Sequence, residues 1–240
     1  MDSSVKITKK SVTVFPNKEN QVYVISGYFK GQIINKTKNT QLKLSNAFIE
    51  NNSGMPAIYC EAKTEISSSS NTTNYLISTG RSESKTAALQ SRKNLVIGGS
   101  GILLVSGSVY HGIKGDDIKI KGSGKLFAKG TKNGAAINCH SLTVEKDKSF
   151  SAWLSDSKNG IKADGTILIN SGSFCLSNLE TAFKTNTARD IPKEEHFIKL
   201  SGGTFFINND VKNKFYTVEN GFDDSGAVYL SSSKAPLIKL

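Results

Sequence analysis

Residues 159–177 read NGIKADGTILINSGSFCLS, two short runs of alternating apolar and polar residues with no helical periodicity. The anchor of this stretch, Ile161, has counterparts 24 residues earlier at Ile137 and another 24 earlier at Ile113. Aligned on these isoleucines, residues 111–130, 135–155 and 159–178 become three copies of one unit. Five to eight residues after each anchor comes an apolar pair: Ile118/Ile120, Leu142/Val144 and Ile167/Ile169. Thirteen residues after it comes a further apolar residue: Leu126, Phe150 and Phe174. Weaker copies on either side place Ile58, Leu89 and Phe183 in the anchor role, with intervals of 31, 24, 24, 24 and 22 residues. The polar inserts SSSSNTTN and STGRSES account for the long first interval.

A unit of 24 residues carrying three short strands, punctuated by Gly, Asn and Ser, predicts an all-β fold, a right-handed parallel β-helix. An antiparallel sandwich also has many short strands but has no reason to keep a fixed period. About six coils stacked at about 4.8 Å would span about 29 Å. The expected organisation is an N-terminal strand cap over 1–35, the stacked coils over 36–210 and a C-terminal cap over 211–240. Both ends carry strand-like runs, VKITKKSVTVF and QVYVISGYF at one and GAVYLSSSKAPLIKL at the other. Caps are expected there because an open terminal coil is a template for edge-to-edge aggregation.

Composition narrows the partners. The longest apolar runs are about four residues, as at residues 102–105, so membrane insertion is not expected. Thirty-one Lys and Arg against 20 Asp and Glu give a net charge of +11, with arginine only at Arg81, Arg92 and Arg189. Lysines on flexible stems suit loose attraction to a polyanion. They are scattered along the chain without an arginine-rich stripe or interleaved aromatics, so nucleic acid is not the expected partner. No glycine motif leads into a helix to cradle phosphate.

Stacking converts the repeat into columns. Two residues past each anchor the column is small and inward: Cys60, Ser91, Gly115, Cys139, Ala163 and Thr185. Cys60 and Cys139 then lie three coils apart, about 14 Å, beyond disulfide reach, and Cys175 sits on another strand facing outward. One residue past the anchors an outward column runs Tyr59, Gln90, Lys114, Asn138, Lys162 and Lys184. Three past them come Glu61, Arg92, Asp116, His140, Asp164 and Asn186. This polar strip offers the donors and acceptors that sugar hydroxyls and carboxylates need, and Lys114, Asp116, His140, Lys162, Asp164 and Lys184 are the candidate ligand contacts. Asp116 and Asp164, about 10 Å apart with His140 between, stand at the outer edge of the spacing used in inverting glycoside hydrolysis. Asp116 and Asp117 are the candidate ligands of a Ca²⁺ ion, with Asp223–Asp224 a second acidic pair. A third-strand outward column reads Leu104, Phe127, Ser151, Cys175 and Phe206, apolar enough to call for a covering segment or a partner. Trp153, two past Ser151, adds a ring face for stacking on a sugar.

The units GIKGDDIKIKGSGKLFAKG and NGIKADGTILINSGSF resemble the repeats of a bacterial family of carbohydrate-binding domain-containing proteins. The resemblance covers about residues 89–208 and rests on Gly112, Ile113, Lys114, Gly160, Ile161, Lys162, Ala163 and Asp164. It implies a pectate-lyase-like parallel β-helix, secreted or on the cell surface with any signal peptide already removed, whose members bind acidic plant polysaccharides and calcium. AAINCHS, with Cys139 and His140, departs from the family pattern. The expected function is binding of an anionic polysaccharide without turnover. A polyuronide lyase or hydrolase and a structural or adhesive surface module are the alternatives.

Overall fold

The computed structural model describes residues 4–15, 19–146, 149–186, 197–217 and 221–230. Among these, the secondary structure is strand and turn with no helix. The strands join one long, mostly parallel sheet in which each pairs with its equivalents in the repeats before and after. The first column is set by the anchors, in the register Ile33↔Ile58↔Leu89↔Ile113↔Ile137↔Ile161↔Phe183. The second stacks Ile97↔Ile120↔Val144↔Ile169↔Leu200. The third stacks Leu103↔Leu126↔Ala152↔Phe174↔Phe205. Side chains from all three columns meet in one core, where Ile137 is 1% exposed and Phe183 and Phe205 are fully buried. Phe174 and Phe205 stack at 5.2 Å, and Phe183 meets the edge of Phe205 at 5.8 Å.

Alternation explains the strands: in Ser151–Ala163 and Ser173–Thr185 every second side chain points into the core. Both strands turn a corner without breaking, at Asp156 (φ 50°) and Asn178 (φ 51°). Asn and Asp tolerate this left-handed backbone better than other side-chain-bearing residues. Asn178 Nδ2 also donates to Asp156 Oδ1 at 2.8 Å, tying the two corners together. The small inward column holds, with Cys60, Ser91, Cys139, Ala163 and Thr185 all buried. All three cysteines are free.

Two register expectations change. Ala152, not Phe150, is the counterpart of Leu126, so Trp153 rather than Ser151 pairs with Phe127 and Cys175. The turn at 145–150 is two residues longer than the turn at 121–124, and the following corner is correspondingly shorter, which leaves the anchor period at 24. Phe150 is buried at that turn, its ring 6.0 Å from Phe174. In the long first interval, Ser67 and Ser68 end strand Thr64–Ser68 and Thr73 opens strand Thr73–Ser78, so SSSSNTTN is half strand and half the turn at 69–72. Of the seven extra residues, two lie in the turn at 69–72 and five in the loop at 79–86.

The parallel register continues at both ends. Gln32–Asn35 pairs with Ile58–Cys60, and Val22–Lys30 with Thr40–Asn51. The hairpin of Val5–Ile7 with Ser11–Val14 is the antiparallel pairing among the described residues. At the other end Asn213–Tyr216, Phe222–Asp223 and Val228–Tyr229 add a last strand to each column. Residues 231–240 of the expected C-terminal strand lie outside the described residues.

Candidate functional site

The lysine column forms as its spacing requires. Gln90↔Lys114↔Asn138↔Lys162↔Lys184 are in register on neighbouring strands, and Tyr216 follows Lys184. Inward neighbours fix each lysine, because Ile113, Ile161 and Phe183 point into the core and leave the next residue outside. Lys162 and Lys184 face each other directly across one strand step, an arrangement of like charges that costs stability. Lys114 Nζ reaches across to donate to the Lys85 carbonyl at 3.3 Å, bringing Lys85 into the cluster. Lys85 stands 5.4 Å from the Tyr110 ring, and Lys184 lies 4.3 Å over the Tyr216 ring.

These lysines are short of counter-charge. Elsewhere the acids are taken: Lys119 pairs with Glu145, Lys121 with Glu65 at 2.9 Å, and Lys36 with Glu61 at 3.6 Å. Among the described residues no ion pair is made by Lys85, Lys114, Lys162 or Lys184. Partial burial holds the Lys114 ammonium below the ordinary lysine pKa, and the Lys85 and Lys162 cations push the same way against the opposing pull of Asp164. Lys162 is lowered for the same first reason, with Asp164 opposing and Lys184, Lys85 and Lys158 adding to the effect. Under this cluster lies His111, 5% exposed, whose Nδ1 accepts the Ala135 N–H at 3.1 Å. Burial first, then Lys114, Lys162 and Lys85, push its pKa down to about 3. His111 is therefore neutral.

The second row forms too. The His140 N–H donates to the Asp116 carbonyl at 3.0 Å, and the Gly165 N–H to the His140 carbonyl at 2.7 Å. Asp116 is exposed, while His140 and Asp164 are half-buried. Asp164 Oδ1 accepts from Asn186 Nδ2 at 3.4 Å. The structure thus brings Lys114, Lys162, Lys184, Asp116, His140 and Asp164 onto one edge of the first column.

Calcium fits less well. Asp117 Oδ1 accepts from Ser141 Oγ at 2.6 Å and Oδ2 from Asn94 Nδ2 at 3.3 Å. Among the described residues no three His, Cys, Asp or Glu side chains converge as metal donors. Asp116 and Asp117 alone fall short of the six to eight oxygens that Ca²⁺ takes. Asp224 is engaged by the Tyr229 hydroxyl at 2.7 Å, and Asp223 Oδ1 accepts the Ser225 N–H at 3.0 Å.

Trp153 lies away from the lysines, on the third column. The register correction makes that column more aromatic than its sequence spacing indicates. It opens with Tyr28, Phe48 and Tyr75, continues through Leu104, Phe127 and Trp153, and ends at Cys175 and Phe206. Tyr75, Leu104, Phe127 and Trp153 are all half-buried, so no described segment covers them. The Trp153 indole N–H is enclosed and finds no acceptor among the described residues. Lys85 and the Tyr28–Phe48–Tyr75 part of the column escape sequence reasoning. Lys85 sits in a non-repeating loop, and the intervals along the aromatic column run from 20 to 31 residues, which a fixed 24-residue frame cannot follow.

Three comparisons bear on the chain. No curated protein matches it. A solved structure described as the polysaccharide lyase-like protein from C. thermocellum, a gadolinium derivative, superposes with a TM-score of 0.59. That match covers 97% of this chain and 92% of that one at 19% identity, and it shows a shared fold. The profile of a family described as carbohydrate-binding domain-containing protein matches residues 2–134. The match reaches further toward the N-terminus than the repeats quoted above, and it includes Lys114, Asp116 and Asp117 but stops before His140, Trp153, Lys162, Asp164 and Lys184. With more than half of its 240 residues matched, the chain belongs to the family of carbohydrate-binding domain-containing proteins.

Proposed function

We propose that this chain is a right-handed parallel β-helix that binds an anionic polysaccharide along its lysine column and does not cleave it. The handedness follows from the strong preference of parallel crossover connections. The observation that carries the binding reading is the crowding of Lys85, Lys114, Lys162 and Lys184 on and beside one column without paired acids, while Lys119 and Lys121 by the second column have them. Crowded cations that repel one another are relieved by a polyanion. Lys114 and Lys162 are two strand steps apart, about 10 Å, of the order of a disaccharide repeat, so an extended polyuronide that meets Lys114 meets lysine again at Lys162. Asp116, His140 and Asp164 edge the column and supply hydrogen bonds to its hydroxyls. The family description and the polysaccharide lyase-like fold relative agree with a sugar polymer as ligand. An extracellular or cell-surface location suits such a ligand.

The test compares K114A/K162A/K184A with K6A/K9A/K10A, three exposed lysines near the N-terminal hairpin. Affinity electrophoresis through polygalacturonate and through alginate should show the first triple binding about thirty-fold more weakly, from three contacts of about 0.7 kcal/mol each. The second triple should bind like the parent, and salt should weaken the parent. Equal losses in both triples would reduce the binding to diffuse attraction by net charge. Unsaturated or newly reducing products would replace the non-catalytic reading with a lyase or hydrolase.

A further inference from the structure

The third column has a chemistry of its own. The Phe127 and Trp153 rings lie parallel, 9° apart with centroids at 4.5 Å. Stacked this way along the column, they turn edges toward solvent and use one face each against the other. The second face of Phe127 looks toward Leu104, and beyond Leu104 the next aromatic is Tyr75. Tyr75 and Phe127 are two strand steps apart, about 9.6 Å. Leu104 takes the step between them, and its side chain is shorter than either ring, so a sugar ring laid over Leu104 sits between two aromatic walls. A cavity of about 360 Å³ opens there, within the range of small-ligand clefts, about 300–1,000 Å³.

Its rim is mostly polar. Two residues further along each strand Ile77, Ser106, Lys129 and Ser155 stand in register beside the aromatic column, and Asp156 also lines the cavity. Hydroxyl and ammonium groups repeated at the strand spacing match a ligand with hydroxyls on every unit and apolar C–H faces between them. A lipid chain has no use for such a rim. We infer that the Tyr75–Leu104–Phe127–Trp153 groove is a second glycan site, which takes uncharged pyranose rings by their C–H faces. It stands on a different column from the lysines and does not rest on the polyanion reading.

The protein has a single tryptophan, so its emission reports on this groove alone. The probes are the neutral hexasaccharides cellohexaose, xylohexaose and mannohexaose. At least one should shift Trp153 emission saturably with a Kd below about 10 mM, equally at about 0.05 and about 1 M NaCl. Phe127→Ala and Tyr75→Ala should each weaken the response about tenfold, and K114A/K162A/K184A should retain it. Tyr75 is not stacked on the indole, so its variant carries the test even if Phe127→Ala disturbs folding. The inference is overturned if all three sugars leave the emission unchanged, or if both aromatic variants respond like the parent. It is overturned equally if the response vanishes with salt and with the lysine triple, which would make it a reflection of the other column. Sedimentation velocity covers the remaining occupant: a dimer that Tyr75→Ala dissociates would assign the groove to a second copy of the chain.

Discussion

Acidification should weaken this fold through His111, by an amount that its surroundings set. The ring is 5% exposed, accepts the Ala135 N–H at Nδ1, and lies beneath Lys85, Lys114 and Lys162. Its pKa in the fold is about 3, against about 6.5 in an unfolded chain. Between these values the unfolded chain holds the extra proton, so stability falls as pH falls. The contribution is complete above pH about 6.5 and is lost as the pH drops toward 3. For one such proton the loss from pH 7 to pH 5 is about 2 kcal/mol, and the ceiling below pH 3 is about 5 kcal/mol. Urea unfolding followed by Trp153 emission at pH 7 and pH 5 measures it. His111→Asn is the control, because Asn Oδ1 can accept the Ala135 N–H but does not titrate. The parent should lose about 2 kcal/mol more than this variant over that range, while carboxylates and the other two histidines contribute equally to both. Equal losses would refute the reasoning, as would an NMR titration that places the His111 imidazole near 6.5. A polyanion on the lysine column removes the cationic share of the shift, so it should raise the His111 pKa.

Two further outcomes test the stack itself. Ile137→Asp places a carboxylate at a 1% exposed position between Ile113 and Ile161 and should cost about 4 kcal/mol or more; a variant that melts like the parent would show the anchor register to be wrong. Burial pushes the Cys60 thiol up to about 12 and raises Cys139 as well, and both side chains are enclosed. Native alkylation followed by mass spectrometry should therefore label half-buried Cys175 first and the other two only after unfolding, whereas early labelling of Cys139 would remove it from the core.

The first column was legible in the sequence because its anchors keep their period through every change in turn length. Ile113, Ile137 and Ile161 are the residues on which the alignment rests, and the lysine after each inherits its outward direction from them. The third column was only partly legible. Its register depends on how the two turns of each repeat divide the spare residues, and no period records that division. Two residues added at 145–150 moved Trp153 into the place expected for Ser151. The charge state of His111 was invisible for another reason: it depends on burial, and on Lys85, which reaches the cluster from a loop with no repeat position.

The stack also explains why a lysine column is a better indication of a ligand than net charge. In a parallel sheet a side chain cannot avoid the one above it, because the register holds them about 4.8 Å apart at the backbone. By the second column Lys119 and Lys121 reach diagonally placed acids, Glu145 and Glu65, and their charges offset. Lys162 and Lys184 meet it with each other. The same fold therefore offers a ready way to neutralise stacked lysines and does not use it beside His111, where burial makes the positive field most costly. A surface that only kept the chain soluble would gain nothing from that arrangement. A surface that waits for a chain of carboxylates would recover the cost on binding, and the pH dependence of His111 would report the recovery.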